Sequence, residues 1–306
     1  MLIISIKGQK TETTKTMVTT ESKIGNNIDK KLENLKEILL NMESVLIAYS
    51  GGVDSTLLLK VSKDTLGDKV LAVTANSLTY PSWEIEAARE MAQRLGARHM
   101  VIETQELANP EFVNNLPDRC YYCKRELFSK LALIAKEFDL NYVLDGSNYD
   151  DLNDFRPGMQ AAREFKVRSP LKEAAFTKED IRQLSKELGL PTWDKPSFAC
   201  LASRFPYGTA ITKENLIRIG EAERFLRSSG MRQVRVRHYN HIARIEATQE
   251  QISKLLSKEL RGKIVNKFKD LGYTYVTVDL EGYRTGSMNE VLPQKTEENA
   301  GFRVQE

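Results

Sequence analysis

Ser50, Gly51, Gly52, Val53, Asp54, Ser55 and Thr56 directly follow the apolar run Val45-Leu46-Ile47-Ala48, and a helical pattern starts at Leu57. Strand, glycine turn and helix N-terminus leave backbone N–H groups unpaired at the positive end of a helix dipole, so the junction favours phosphate. Glycines let the backbone approach the anion closely. The hydroxyls of Ser50, Ser55 and Thr56 add hydrogen bonds. Asp54 is an acid beside an anion site, and a Mg2+ ion between carboxylate and phosphate makes that placement favourable. The spacing is not G-x-x-x-x-G-K-[ST], so this is not a Walker-type loop.

Sulfur is the second chemistry. The three cysteines are Cys120 and Cys123, in Arg-Cys-Tyr-Tyr-Cys-Lys, and Cys200, in Phe-Ala-Cys-Leu-Ala-Ser-Arg. The C-x-x-C sits just before a helix expected from about Lys124, where the dipole and the flanking Arg119 and Lys124 favour thiolate. A redox dithiol leaves Cys200 without a role. Zinc needs a fourth ligand, and none of the three histidines is near in sequence. Three unrelated buried thiols are the plain alternative. An iron–sulfur cluster on three cysteines leaves one iron open to an exogenous sulfur. Beside a phosphate-binding loop, sulfur chemistry leads, because a phosphate-activated oxygen is a good leaving group for a sulfur nucleophile.

A third constellation is cationic. Period two in Gln233-Val234-Arg235-Val236-Arg237 puts Arg235 and Arg237 on one face, and in Ile242-Ala243-Arg244-Ile245-Glu246 it pairs Arg244 with Glu246. A hairpin of these strands gathers three guanidiniums and a carboxylate, which suits a phosphate or polycarboxylate. On the residues alone a solvated hairpin face is slightly preferred. Glu221 and Glu223 lie on the helix before it, by default on an exposed face.

The elements that must position these groups alternate strand and helix. Helical spacing at Ile28, Leu32, Leu35 and Leu39 precedes strands at 45–48, 70–75, 99–102 and 142–145, with helices between them. That pattern predicts a parallel α/β sheet whose ligands lie beyond the carboxyl ends of the strands. Thr177 and Asp180 form a capping pair for a helix to Leu188. After Pro191, Pro196 and Pro206 the pattern changes to a helix capped by Thr212, strands at 233–238 and 242–247, a helix near 252–256 and a strand at 273–280: a small α+β domain. Expected boundaries are a disordered tail at 1–26, an ATP-binding domain with the cysteine site at 27–205, a substrate or oligomerisation domain at 206–292 and a frayed end at 293–306.

The chain has 306 residues, 41% hydrophobic and 28% charged, with a net charge of +3. So small a charge argues for a small-molecule substrate over a dedicated nucleic-acid surface. No apolar run approaches the roughly 20 residues that span a bilayer, and residues 1–6 are too short for a signal-peptide core. A cytoplasmic enzyme with reduced thiols is expected.

The loop resembles the PP-loop of the ATP pyrophosphatases (adenine nucleotide alpha hydrolase-like), which holds the β- and γ-phosphates while the α-phosphate is attacked. SGGVDSTLL, RCYYCKRELF, DGSNYDDLNDFRPG, VRSPLKEA, PTWDKPSFACLASRFPYGTAIT, RVRHY with ARIE, and DLEGYRTGSMN resemble the LarE family, the ATP-dependent sulfur transferases of nickel-pincer nucleotide synthesis. The resemblance implies adenylylation of a carboxylate of pyridinium-3,5-biscarboxylic acid mononucleotide, then conversion to a thiocarboxylate. It implies ATP and Mg2+ on Ser50 to Thr56 with Ala75, and Asp54, Cys200, Ser203 and Arg204 at the reaction. Arg235, Arg237, Glu223 and Glu246 match the family's substrate-phosphate and metal region. Some members sacrifice the sulfur of the cysteine in CLASR. Others add a C-x-x-C and hold a 4Fe–4S cluster on three cysteines, fed by sulfide or another sulfur donor; Cys120, Cys123 and Cys200 match that type. The family also implies a homo-oligomer. A tRNA thiolase is the alternative within sulfur chemistry, but the added RNA-binding module or basic surface it needs is not evident.

Overall fold

The structure is a computed structural model that describes residues 12–153, 157–284 and 286–292. In chain order its elements begin with α1 (Glu12–Met42), β1 (Val45–Ala48), α2 (Val53–Leu66), β2 (Val70–Asn76), α3 (Ser82–Arg94) and β3 (Arg98–Glu103). Then come α4 (Pro110–Val113), α5 (Arg119–Glu137), β4 (Tyr142–Leu144), α6 (Gly158–Glu164), α7 (Pro170–Glu173) and α8 (Lys178–Glu187). The last are α9 (Lys213–Ser228), β5 (Val234–Tyr239), β6 (Ile242–Ala247), α10 (Gln249–Leu255), α11 (Lys258–Asp270) and β7 (Tyr275–Val278).

These elements pack as two compact units, one of residues up to Glu106 with Cys120–Phe198, the other of Leu107–Arg119 with residues from Ala199 onward. The sequence places the boundary at 205/206. Here the Cys200 segment packs with the second unit, because the side chain of Arg204 is buried there against Glu223.

The first unit is the expected α/β fold. Its four strands are parallel in the order β3-β2-β1-β4. The central β1 and β2 read as near-continuous apolar runs because helices cover both faces. Leu46 and Leu71 face a cluster with Phe128 and Leu131 of α5, while Ile47 and Ala72 face α1 and α2. Leu35 and Leu39 of α1 are fully buried, which stabilises by ~1.5–3 kcal/mol for each side chain. Thr177 and Asp180 close the predicted capping box on α8. Strand order reverses between β1 and β4, so a ligand of this sheet belongs beyond their carboxyl ends. Both strands end in glycine-bearing turns there, at Gly51-Gly52 and at Gly146.

Two local expectations change. Residues 12–26, expected as tail, continue α1. No proline interrupts that stretch, and propagating an established helix adds one hydrogen bond per residue. The helix after the C-x-x-C starts at Arg119, not near Lys124, because the turn at Leu116 already supplies a carbonyl to the Arg119 N–H. Residues 1–11 and 293–306 lie outside the described residues. Among the described residues no helix is long and apolar enough to cross a membrane.

The second unit is built on a three-stranded sheet, β5-β6-β7, antiparallel then parallel. Val234, Val236, Ala243 and Ile245 pack with Ala222, Leu226 and Phe268 in its core. The opposite face of β5 carries Arg235 and Arg237, and both are buried.

Candidate active site

The glycine loop connects β1 to α2. Gly51 adopts φ +67°, and a Cβ there would sit 2.8 Å from Cβ of Ala88, so only glycine fits. Gly52 caps α2 without any side-chain bond, leaving the first helical N–H groups to the anion site. Ser50 and Ser55 face each other, Oγ to Oγ 3.1 Å, and the Gly52 N–H donates to Ser50 Oγ at 3.3 Å. Val53 and Thr56 turn their side chains into the core, Thr56 beside the Tyr49 hydroxyl at 3.3 Å, so these two offer the site only their backbone. Ala75 is half-buried at the carboxyl end of β2 in the same unit.

The turn after β4 closes on this loop. Gly146 lies so near that a Cβ would meet the Ser55 N at 3.1 Å. Asn148 Nδ2 donates to Asp54 Oδ1 at 3.2 Å, and Lys178, the first residue of α8, forms a salt bridge with the Asp54 carboxylate. Lys195 Nζ donates to the Gly51 carbonyl at 3.0 Å and pairs with Glu84 at 2.7 Å. The sequence places Asp145 to Asn148 at the carboxyl end of its strand, beside this loop, but does not single out Lys178, Lys195 or Glu84. The capping pair at Thr177 marked the place of Lys178, but nothing local says which carboxylate it meets.

Cys120 and Cys123 occupy the first turn of α5, Cys120 exposed and Cys123 half-buried. Cys123 Sγ lies 3.8 Å from Oε1 of the buried Glu106, which also accepts from Thr104 Oγ1 at 2.9 Å. Cys200 belongs to the second unit and precedes the 3-10 turn Leu201–Arg204. None of the three is in a disulfide. Cysteine thiols are soft donors of the type iron–sulfur centres take. Among the described residues no group of three or more His, Cys, Asp and Glu side chains is assembled to hold a metal ion.

Arg204 explains how the Cys200 segment is held. Its guanidinium is fully buried and binds Glu223 through two contacts, Nε at 2.7 Å and Nη2 at 2.9 Å. Nη1 donates to the carbonyls of Ala199 and Cys200, at 2.8 and 3.2 Å, and to Ser203 Oγ at 2.8 Å. Arg204 therefore positions the backbone on both sides of the Cys200 α-carbon. Glu223, expected by default on an exposed helix face, is fully buried and also accepts from the Val236 N–H at 2.9 Å. Burial alone would raise its carboxyl pKa, but Arg204, Arg235 and these hydrogen bonds together hold it below the ordinary range.

The neighbouring arginines form the rest of this network, and the solvated hairpin face does not exist. Arg237 donates to Glu246 at 2.6 Å, to the Ser203 carbonyl at 2.8 Å and to Ser287 Oγ at 3.0 Å. Glu246 also receives Arg244 at 3.0 Å. Arg235 lies over the Tyr283 ring, 5.2 Å from its centroid. Burial, then the nearby Arg204, lowers its pKa to about 10, so it remains a cation at neutral pH.

A parallel α/β unit with an anion-binding glycine loop, an acid at its mouth and glycine turns at the strand-order reversal defines a PP-loop nucleotide domain. The family described as Arginosuccinate synthase N-terminal HUP domain matches residues 44–191. A pyridinium-3,5-bisthiocarboxylic acid mononucleotide synthase from Lactiplantibacillus plantarum is 42% identical over 263 residues, 86% of this chain and 95% of that protein. An uncharacterized protein from Synechocystis is 49% identical over 87% of this chain and 99% of its own length. A tRNA-specific 2-thiouridylase from Halothermothrix orenii shares 26% over 51% of this chain and 54% of its own. The chain belongs to the LarE family, and it is an ATP-dependent sulfurtransferase.

Proposed function

We propose that the protein uses ATP to adenylylate a carboxylate of pyridinium-3,5-biscarboxylic acid mononucleotide and then converts it to a thiocarboxylate, in the cytoplasm. The observation that carries the reading is the match to the bisthiocarboxylic acid mononucleotide synthase over nearly its whole length, with the glycine loop intact. The loop N–H groups and the Ser50 and Ser55 hydroxyls bind the β- and γ-phosphates, leaving the α-phosphate open to the substrate carboxylate. Bond formation to that phosphorus expels pyrophosphate and leaves a mixed anhydride. A sulfur nucleophile displaces AMP from it. Asp54 is the residue that would hold Mg2+, a hard cation suited to a carboxylate beside phosphate. Arg235 and Arg237 bind the substrate's phosphate, with Glu246 holding Arg237 and the Glu223 carboxylate offsetting the charge of Arg235. Ser203 and Arg204 fix the Cys200 segment.

Cys120, Cys123 and Cys200 are the ligands a 4Fe–4S cluster would take, and such a cluster would supply an iron open to hydrosulfide. The test is iron and acid-labile sulfide in anaerobically purified protein, with thiocarboxylate formed per chain in the presence and absence of sulfide. More than one sulfur transferred per chain when sulfide is supplied is the expected result. A single transfer, with a mass loss of about 34 Da at Cys200, would show that the residue's own sulfur is consumed. Thiolation of tRNA in place of the mononucleotide would overturn the substrate.

Asp54→Asn is expected to slow Mg-dependent pyrophosphate release by roughly one to two decades, the worth of one charge-assisted contact. The fold should persist, since Asp54 lies at the loop's mouth. Wild-type release by this variant would remove Asp54 from its role. Arg235→Ala is expected to raise the apparent constant for the mononucleotide by a similar factor without changing that for ATP. Because Arg235 also stacks on Tyr283, Arg235→Lys serves as the control that keeps the charge. Unchanged substrate binding by both would make this arginine purely structural.

A further inference from the structure

The peptide between Gly51 and Gly52 is the least constrained link of the phosphate loop. Both flanking residues lack a Cβ, so this peptide plane can rotate at small steric cost. Its orientation matters, because a trans peptide is planar and its C=O and N–H point to opposite sides. With the carbonyl turned away, the Gly52 N–H faces Ser50 Oγ, on the side of the loop hydroxyls. With the plane rotated, a carbonyl oxygen would face the phosphates and repel them.

Lys195 holds this carbonyl at 3.0 Å from a position 144 residues away. The lysine is itself held. Glu84, a buried carboxylate in the first turn of α3, pairs with its ammonium at 2.7 Å. Arg182 donates to the carbonyls of Trp193 and Lys195 at 2.6 and 2.9 Å, which fixes the backbone that carries the side chain. Phe198 meets the Trp83 ring edge-on, 6.5 Å between centroids.

We propose that Lys195 is a positioning residue for ATP: by holding the Gly51 carbonyl it aims the Gly52 N–H at the β- and γ-phosphates, and Glu84 keeps the lysine on that carbonyl. The inference rests on the ATP reading above. It assigns the loop's competence to a side chain outside the loop. Because Lys195 acts on the phosphate cradle alone, its loss weakens ligands that carry the β- and γ-phosphates and spares those that lack them.

The experiment measures the affinities of ATP, inorganic pyrophosphate and AMP, with Mg2+, for the full chain and for Lys195→Ala, Lys195→Arg and Glu84→Gln. Lys195→Ala should weaken ATP and pyrophosphate roughly tenfold or more and leave AMP unchanged. Lys195→Arg, which retains a charged donor, should restore most of the loss. Glu84→Gln should lie between the wild type and Lys195→Ala, since the carbonyl contact remains but its anchor is neutral. Unchanged AMP affinity shows that the variants are folded. Pyrophosphate binding by Lys195→Ala at the wild-type level would overturn the proposal, and so would an equal loss of AMP and pyrophosphate. A wild-type chain that binds neither ATP nor pyrophosphate would remove the ATP reading itself, an outcome separate from the first two.

Discussion

Cys200→Ala is expected to abolish thiocarboxylate formation while pyrophosphate release in a single turnover stays near the wild-type level. The two half-reactions draw on different residues. Adenylylation needs the loop around Ser50 to Asp54 and a bound carboxylate, all without a thiol. Sulfur transfer by the proposed route needs Cys200, whether as a cluster ligand or as the source of its own sulfur. The substitution removes one half-buried sulfur at the start of a 3-10 turn, and the turn itself is fixed by backbone contacts. The Cys200 carbonyl still accepts from the Ser203 N–H at 3.0 Å and from Arg204 at 3.2 Å. The expected signature is therefore accumulation of the acyl-adenylate, seen by mass, with no thiocarboxylate. Thiocarboxylate formed by this variant at the wild-type rate would take Cys200 out of the chemistry. Loss of pyrophosphate release together with sulfur transfer would mean that the two steps are not separable in the way their residues suggest.

Glu223→Ala is expected to destabilise the second unit by ~3–5 kcal/mol, which lowers its melting temperature by roughly 10–20 °C. Arg204 and Glu223 have no exposed side-chain surface, and a bidentate contact joins the guanidinium to the carboxylate. Removing the acid takes this bidentate carboxylate from a buried cation and also strips the Val236 N–H of its acceptor. Replacing both partners by Met and Leu should cost less than Glu223→Ala, because the Arg204 cation is then no longer left buried without its carboxylate. The same double variant should still lose sulfur transfer, since the carbonyls of Ala199 and Cys200 no longer have the Arg204 donor. Equal melting temperatures for Glu223→Ala and the wild type would show that the pair contributes nothing to the fold.

Short-range patterns were legible because short-range physics makes them. Period two and period 3.6 mark which strands and helices have faces to bury. The turn at Gly51 needs a left-handed residue, and the Thr177–Asp180 box satisfies N–H groups three residues away. The parallel α/β class and the strand, glycine turn and helix start at 45–57 follow from such local rules. The resemblance of the motifs then supplied the chemistry, which no periodicity contains.

Tertiary structure decided which charges meet. Asp54 finds Lys178 across 124 residues and Lys195 finds Gly51 across 144, and neither pairing has a local signature. It also decided burial. Alternation places Arg235 and Arg237 on one face of β5, and alternation alone favours water on that face. The Ser203 carbonyl, Tyr283 and Ser287 come from outside the hairpin to cover it. A guanidinium can leave water only where carboxylates and carbonyls at fixed distances replace its hydration. Those partners come from distant parts of the chain, so the packed fold alone could show that this face is buried and not a solvated surface.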